Sequence, residues 1–301
     1  MTVEGSTAAR ALGSWRVGPV GFGAMSLSVE GRPSSDTAHG VVVAALESGV
    51  NLFDTADCYG IGLRERGHNE KLLRASLDRC GADRAGVLVG TKGGHYRTEQ
   101  GQYVIDARPD ALRAACDRSL SALGVDALDL YFLHRPDPRV PYAESVGTIA
   151  ELQRAGKVRA VGVSNVGTGH LEQARREVEV VAVQNRLSVL AQQDRPMVGH
   201  CAALGIAYLA WAPLGGFGHG AGEVSRHAVL RRIAHEHGVT TAQVALAWLL
   251  ALSEVVIPIP GTHRPETVRE NVAAAHIVLS ADDLASLDAT GVRCSDVEDE
   301  A

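Results

Sequence analysis

The chain has 301 residues, of which 46% are hydrophobic and 21% charged, and its formal net charge is -6. These proportions are typical of a globular protein and exclude a disordered or fibrous one. The negative charge, without any basic block, argues against a nucleic-acid surface. The longest apolar stretch, 244–252, is too short to span a membrane, and the N-terminus lacks the layout of a signal peptide. We therefore expect a cytoplasmic protein whose partners are small molecules rather than nucleic acid or a membrane.

The five cysteines are odd in number and form no CxxC pair, which favours reduced thiols over disulfides. They are Cys58, Cys80, Cys116, Cys201 and Cys294. Cys58 stands out because it adjoins a tyrosine. Histidines near the C-terminal third are either two apart or too far apart to share one ion, so no metal site is predicted.

Helical and strand patterns alternate along the chain after a loose tail at 1–10 and a short strand pattern within 13–21. The predicted strands are 20–25, 51–54, 87–91, 128–133, 158–163, 180–183, 206–211 and 255–259. The predicted helices are 36–47, 69–79, 109–123, 142–154, 168–177, 197–204, 229–237, 242–252 and 280–288. Gly49 after the first helix and Ser280 before the last are typical stop and cap residues.

The strand ends recur about 33 residues apart, which is the length of one strand–helix unit. Eight such units predict an α/β protein with a closed (β/α)8 barrel, a short N-terminal hairpin and extra helices. A doubly wound open sheet is the alternative. No Pro- or Ser-rich linker divides the chain, so we expect one domain over 1–301, with loose tails at 1–10 and 291–301.

Polar side chains cluster at three of these strand ends, which carry Asp54 followed by Tyr59, then Lys92, and then His134. In a barrel these ends share one face, where active sites lie. A phenol, with a pKa of about 10, is a weak acid at neutral pH, and a lysine cation beside it favours the phenolate. His134 can orient a carbonyl that Tyr59 protonates. Such a site suits carbonyl reduction, for which a nicotinamide cofactor supplies hydride.

Seven motifs in register resemble the aldo-keto reductase family over about 18–275. They are NLFDTADCYG, VGTKGG, YFLHRPD, VGVSN, QNR, WAPLGG and IPIPGTHRPETVRENVAA. The resemblance implies an eightfold barrel, NADPH bound without a Rossmann domain, and Asp54, Tyr59, Lys92 and His134 as the catalytic tetrad with Tyr59 as general acid.

The resemblance also implies a set of cofactor contacts. Amide and hydroxyl groups near the fifth and sixth strand ends would hold the nicotinamide carboxamide, and Trp211 would stack on its ring. A glycine-rich loop (Gly215, Gly216, Gly218, Gly220) would approach the pyrophosphate. The expected contacts are Gly23, Ala24, Met25, Asp54, Ser164, Asn165, Gln184, Trp211, Pro213, Leu214, Gly216, Gly261, Thr262, Arg264, Glu270 and Asn271.

The chain departs from the family at Gly261, where many members have lysine. Recognition of a 2'-phosphate therefore falls to His263, Arg264 or Arg269, of which Arg264 is the best candidate, and NADP(H) is favoured over NAD(H).

Three alternatives stay open from the residues alone. Asp54 and Lys92 could be only a structural ion pair. The protein could be a nucleotide-binding regulatory subunit of the same fold, or a lyase that uses the same tetrad on a sugar or natural product. Basic and aromatic residues near the predicted mouth favour an anionic or hydroxylated carbonyl substrate; they are Arg64, Arg66, His95, Tyr96, Arg97 and Arg135.

Overall fold

The structure, a computed structural model, describes residues 8–82, 86–216 and 220–291. In chain order the strands are β1 (Arg10–Leu12), β2 (Trp15–Val17), β3 (Phe22–Gly23), β4 (Leu52–Asp54), β5 (Leu88–Gly93), β6 (His95–Arg97), β7 (Tyr103–Ile105), β8 (Leu128–Leu133), β9 (Val158–Ser164), β10 (Val180–Arg186), β11 (Ala207–Trp211) and β12 (Val256–Pro258). The helices are α1 (Ser35–Glu47), α2 (His68–Arg79), α3 (Pro109–Leu123), α4 (Tyr142–Arg154), α5 (Thr168–Glu177), α6 (Arg195–Leu204), α7 (Gly220–Arg226), α8 (Ala228–His237), α9 (Thr241–Leu252), α10 (Pro265–Ala273) and α11 (Ala281–Asp288).

Eight parallel strands form the central sheet, in the hydrogen-bonded order β3, β4, β5, β8, β9, β10, β11, β12. Backbone bonds then join the first strand region to the last. Gly21 N donates to Pro258 O at 3.0 Å, and Gly23 N donates to Pro260 O at 3.1 Å. The sheet therefore closes on itself, which confirms the predicted (β/α)8 barrel and excludes the doubly wound alternative.

Glycines at the closing seam allow the two chain segments to approach closely. A Cβ on Gly23 would lie 2.7 Å from the carbonyl oxygen of Ile259, and one on Gly261 would lie 2.6 Å from the carbonyl oxygen of Gly23. Both distances are shorter than real Cβ contacts, so a side chain at either position would push the segments apart.

The hairpin of β1 and β2 covers the amino end of the barrel. Leu12 and Val17 pack there in one buried cluster with Leu52, Leu88 and Leu209, which lie on barrel strands. This confirms the predicted N-terminal hairpin.

Arg10 differs from its prediction as part of a loose tail, because it begins β1 and is only 3% exposed. Its guanidinium donates to Leu250 O at 3.1 Å and also to Ser253 O, so it caps the carbonyl end of α9. Residues 1–7 and 292–301, which the tail predictions also include, lie outside the described residues.

The helices form where caps and apolar spacing predict them, within a few residues at each end. Ser34 accepts a hydrogen bond from Thr37 N at the start of α1, and Ser280 and Asp283 form a capping box before α11. The predicted elements omitted α10, the β6–β7 hairpin and α7, of which the hairpin strands are short and α7 is rich in glycine. In the described ranges, no helix is long and apolar enough to cross a membrane.

Candidate active site

The four residues of the predicted tetrad lie together at the carboxyl end of the barrel. Asp54 is the last residue of β4, Tyr59 lies in the following loop, Lys92 lies in β5, and His134 follows β8. Lys92 Nζ donates to Asp54 Oδ2 at 2.7 Å and contacts the Tyr59 hydroxyl at 3.1 Å. The structure therefore brings these three side chains into one continuous hydrogen-bonded series.

Both charged members of this series have their polar atoms occupied. Besides Asp54 and Tyr59, Lys92 Nζ donates to the Thr55 carbonyl oxygen at 2.8 Å, so each of the three ammonium protons has an acceptor. Gln184 Nε2 donates to Asp54 Oδ1 at 2.7 Å. The side chains of Lys92 and Asp54 are only 1% and 5% exposed. Such a buried, fully bonded pair holds Tyr59 in a fixed position.

The pKa of Tyr59 shifts in the direction opposite to the one predicted from its neighbouring lysine. Burial, followed by the Asp54 carboxylate, raises the pKa of the Tyr59 phenol well above its usual value. A buried phenolate loses its hydration, and this cost outweighs the attraction of the Lys92 ammonium. The phenol is therefore protonated and available as a proton donor.

His134 lies beside this phenol as a neutral imidazole. Its ring meets the Tyr59 ring edge-on, with centroids 6.0 Å apart. Burial, followed by the charge of His95 and Lys92, lowers the pKa of His134 well below its usual value. Its backbone is fixed by Asn165, whose amide donates to the His134 carbonyl oxygen at 3.0 Å. A neutral imidazole can donate one N–H bond without bringing a further charge into the site.

A cavity of about 880 Å³ opens onto Tyr59 and His134. Predicted site residues in its lining are Gly23, Met25, Asp54, Tyr59, His134, Ser164, Asn165, Gln184, Trp211, Pro213, Leu214, Gly216, Gly261, Thr262 and Arg264. Lys92 is buried beside Tyr59 rather than lining the cavity, and Ala24 is buried with its N–H bonded to Asp54 O. The cavity thus joins the tetrad to most of the predicted cofactor contacts.

Other predicted contacts do not line the cavity. Glu270 and Asn271 are on α10, outside the lining. Gly215 is also outside the lining, Gly220 begins α7, and Gly218 falls outside the described residues. Gly23 and Gly261 line the cavity, and the closing seam gives each a structural reason to be glycine as well.

Two residues of the lining have left-handed backbone conformations that side chains rarely adopt. Asn165 after β9 has φ 57°, and Ala212 after β11 has φ 49°. Such conformations cost free energy and cluster at functional sites, where the surrounding structure holds them. Both turns direct chain segments around the rim of the cavity.

Unpaired polar atoms at the cavity suit the binding of a dinucleotide, because a dinucleotide carries many hydrogen-bonding groups. Ser26 Oγ and Trp211 Nε1, both on residues of the lining, are buried without a hydrogen-bond partner among the described residues, and so is Asn271 Oδ1 on α10. Buried polar atoms normally have partners, so Ser26 Oγ and Trp211 Nε1 are free to bond a ligand in the cavity. Sequence analysis missed Ser26, whose only signal is its position just after the first barrel strand.

The cations proposed for a 2'-phosphate do not have equal access to the cavity. His263 and Arg264 line it, whereas Arg269 forms an ion pair with Glu47 at 3.1 Å. Arg264 immediately precedes α10, a helix start that favours anions.

Fewer of the basic and aromatic residues predicted at the mouth of the cavity line it than the sequence indicated. Arg97 is buried and pairs with Glu30 at 2.6 Å, and Arg66 packs over Tyr96 at 4.8 Å from its ring centre. Of the six residues predicted there, His95 and Arg135 line the cavity.

The β6–β7 hairpin supplies two further lining residues that sequence analysis missed, Tyr103 and Ile105. They follow no motif, and their only signal is the long insertion between β5 and α3. They give this part of the cavity an aromatic and apolar wall.

The fold and the tetrad define a barrel oxidoreductase, and comparison with known proteins agrees. Residues 19–291 match the model of the Aldo/keto reductase family. The chain belongs to this family, as its motifs predicted.

Named relatives are similar over nearly their whole length. The chain is 35% identical over 288 residues to pyridoxine 4-dehydrogenase of Escherichia coli (strain K12), covering 92% of this chain and 96% of that protein. It is 31% identical over 303 residues to an aldo-keto reductase of Schizosaccharomyces pombe whose name specifies NADP(+), covering 90% of this chain and 87% of that one.

A solved structure shares the fold. The aldo/keto reductase from Klebsiella pneumoniae in complex with NADP and acetate has a TM-score of 0.78 and 26% identity, covering 94% of this chain and 95% of that one. The relatives of this chain thus include NADP-dependent oxidoreductases.

Proposed function

We propose that the protein is an NADPH-dependent reductase that converts an aldehyde or ketone to an alcohol, or runs the reverse reaction, with Tyr59 as general acid. The observation that carries this proposal is the series of hydrogen bonds from Asp54 through Lys92 to the Tyr59 hydroxyl, in the wall of a large cavity. The NADP(+) in one relative's name and the NADP bound to the Klebsiella pneumoniae enzyme support the choice of cofactor.

NADPH, when bound, supplies the hydride that no side chain can donate. Ser164, Asn165 and Gln184 would hold its carboxamide, and Trp211 would stack against its ring. Gln184 Nε2 is already bonded to Asp54, so its amide oxygen remains to accept a bond.

Tyr59 then protonates the substrate oxygen, and its oxygen keeps the bond to Lys92. The ammonium stabilises the phenolate that forms, and Asp54 balances the charge of Lys92. Neutral His134 donates an N–H bond to the same substrate oxygen and orients it. A phenol with a raised pKa gives up its proton only when this oxygen becomes basic, which confines proton transfer to the reactive complex.

We propose an aromatic or hydroxylated aldehyde as the substrate class. Met25, Tyr103 and Ile105 line the cavity with apolar surface, while Arg135 offers a cation for a polar or anionic substituent. The similarity to pyridoxine 4-dehydrogenase makes pyridoxal the first compound to test. Rates with pyridoxal, nitrobenzaldehyde and simple sugars, each with NADPH and with NADH, would rank these classes.

Replacing Tyr59 tests the proposed acid. In Tyr59→Phe we expect kcat for carbonyl reduction to fall by about 10²–10⁴, the usual contribution of a general acid, while NADPH quenches tryptophan fluorescence with unchanged affinity. Tyr142→Phe, at the start of α4 and outside the cavity lining, is the matched control and should keep full activity. Equal activity in Tyr59→Phe and in the parent protein would defeat the assignment.

The two alternative functions predict different stoichiometry. A regulatory subunit would bind NADPH and turn over negligibly, and a lyase would form product without net consumption of NADPH. One NADPH oxidised for each alcohol formed, at a sustained rate, supports the reductase against both.

A further inference from the structure

Three potential metal ligands converge beside the proposed acid, although no sequence motif joins them. The donor atoms of Cys58, His95 and His134 all lie within 4.8 Å of one another, the one such His- and Cys-containing group among the described residues. Cys58 Sγ is 3.7 Å from His134 Nδ1, and the two imidazole rings are 4.4 Å apart. Sequence analysis predicted no metal site because these residues come from three separate loops and strands.

We propose that Cys58, His95 and His134 bind a zinc-like divalent ion, and that the bound ion inhibits the enzyme. Zinc–sulfur and zinc–nitrogen bonds of about 2.3 and 2.0–2.1 Å at tetrahedral angles place sulfur and nitrogen about 3.6 Å apart. The Cys58–His134 distance already matches this value. The other donor pairs, all within 4.8 Å, need to close by at most about 1.5 Å, and we expect a turn of the half-buried His95 ring to supply this.

The donor types select the class of metal. One thiolate and two imidazoles suit Zn²⁺ and its spectroscopic substitute Co²⁺, and they are poor ligands for Mg²⁺ or Ca²⁺, which prefer oxygen. Binding requires the Cys58 thiol to release its proton to solvent. The neighbouring charges of Lys92 and Arg135 oppose a second cation, and Asp54 offsets that of Lys92 at 2.7 Å.

The cavity provides both the entry path and the open coordination position. His95 and His134 line it, while Cys58 is buried behind them, so an ion can enter from the cavity side. Three protein ligands leave a fourth position for water, as in zinc sites with an open face.

The expected inhibition rests on the proposed function and follows from the role of His134 in that reaction. Its ring is the group that orients the substrate carbonyl, and it meets the Tyr59 ring edge-on. We infer that an ion bonded to Nδ1 of His134, the nitrogen 3.7 Å from Cys58 Sγ, turns this ring away from the substrate carbonyl and adds positive charge beside Tyr59. We expect inhibition to be competitive with the carbonyl compound and reversed by a chelator.

Cobalt binding to the untagged, full-length, chelator-treated protein tests the site without any need for turnover. We expect one Co²⁺ per chain and a thiolate-to-cobalt absorbance in the near ultraviolet. Cys58→Ser should lose the absorbance, and His95→Asn should lower the affinity at least tenfold. Cys80→Ser, at the end of α2, is the matched control and should behave as the parent protein.

Thermal unfolding of each variant establishes that it is folded before cobalt is added. No cobalt bound by the parent protein, or a thiolate absorbance that survives in Cys58→Ser, would overturn the metal site.

Zn²⁺ should separately inhibit carbonyl reduction by the parent protein. In Cys58→Ser, inhibition should be at least tenfold less effective, measured against that variant's own uninhibited rate. An unchanged rate with the site fully occupied would overturn inhibition. Absence of any reductase activity would contradict the proposed function and leave the cobalt result standing.

Discussion

Lys92 is the residue on which the geometry of the site depends. It gives one proton each to Asp54, Thr55 and Tyr59, so the ammonium has no spare donor and no freedom to rotate. Removing one member of a buried pair leaves an uncompensated charge, which typically costs about 3–5 kcal/mol. The Asp54–Lys92 pair therefore contributes both to the stability of the carboxyl end of the barrel and to the position of the Tyr59 phenol.

Arg264 should decide between the two nicotinamide cofactors. In Arg264→Gln we expect the Kd for NADPH to rise about 10–100-fold, since a hydrogen bond to a charged group contributes about 1.5–3 kcal/mol. The Kd for NADH should stay within about twofold, because it lacks the 2'-phosphate.

Arg269→Gln is the control for this measurement, because Arg269 is already paired with Glu47. Fluorescence titration of both variants with both cofactors gives the comparison. An equal loss of NADPH and NADH affinity in Arg264→Gln would contradict a phosphate contact.

Sequence reasoning predicted that Asp54, Tyr59, Lys92 and His134 meet, because strand ends of a parallel barrel share one face and positions distant in the chain become neighbours there. The pKa of Tyr59 was predicted in the wrong direction because burial, which dominates it, depends on residues brought together only by folding. The hydrogen bond from Gln184 to Asp54 could not be predicted either, since these residues are 130 positions apart and belong to different motifs.

At the scale of elements, a buried carboxyl group joins α2 to β5. Glu70 on α2 is fully buried and accepts a bond from the Thr91 hydroxyl of β5 at 2.6 Å. Burial raises the pKa of Glu70 from 4.5 to about 7, because an ionised carboxylate there loses its hydration. The contact between this helix and strand therefore depends on pH.

The pH dependence of stability should reveal this group. Because the folded-state pKa is raised, the protonated carboxyl stabilises the fold below about pH 4.5, and this contribution is lost as the pH rises through about 7. We expect Glu70→Gln to match the parent protein at about pH 4 and to exceed its free energy of unfolding at pH 8 by about 3 kcal/mol. Urea denaturation across this range checks the expectation, and parallel pH curves would contradict it.

The β6–β7 hairpin was the least predictable element. Its strands have three residues each, too few for a periodic pattern, and they lie in an insertion with no family motif. Arg97 fixes the hairpin through two bonds to Glu30 and one to the Gly60 carbonyl oxygen. The longer barrel helices and strands were predictable because they contain enough residues to show an apolar period, and α1, α9 and α11 also begin with a side-chain cap.

At the scale of the whole molecule, closure of the barrel depends on two glycines at one seam. We expect Gly261→Ala to lower the free energy of unfolding by about 1–3 kcal/mol, the usual cost of overpacking, because its Cβ would lie 2.6 Å from the Gly23 carbonyl oxygen. Urea denaturation without cofactor measures this change.

Gly147→Ala is the opposite control for this substitution. Gly147 lies inside α4 with no atom within 4 Å of its added Cβ, so alanine there should stabilise the protein by about 0.5–1 kcal/mol. If Gly261→Ala were as stable as Gly147→Ala, tight packing at the seam would not be what closes the barrel.

The hydrogen bonds of Arg10 have a consequence for folding during translation. Its partner Leu250 lies 240 positions later, so the ribosome releases β1 and β2 long before α9 exists to receive them. The cluster that buries Leu12 and Val17 is complete only late in synthesis, since it includes Leu209 and Ile257. We therefore expect the nascent polypeptide to keep part of this apolar surface exposed to chaperones until nearly all of the barrel has been translated.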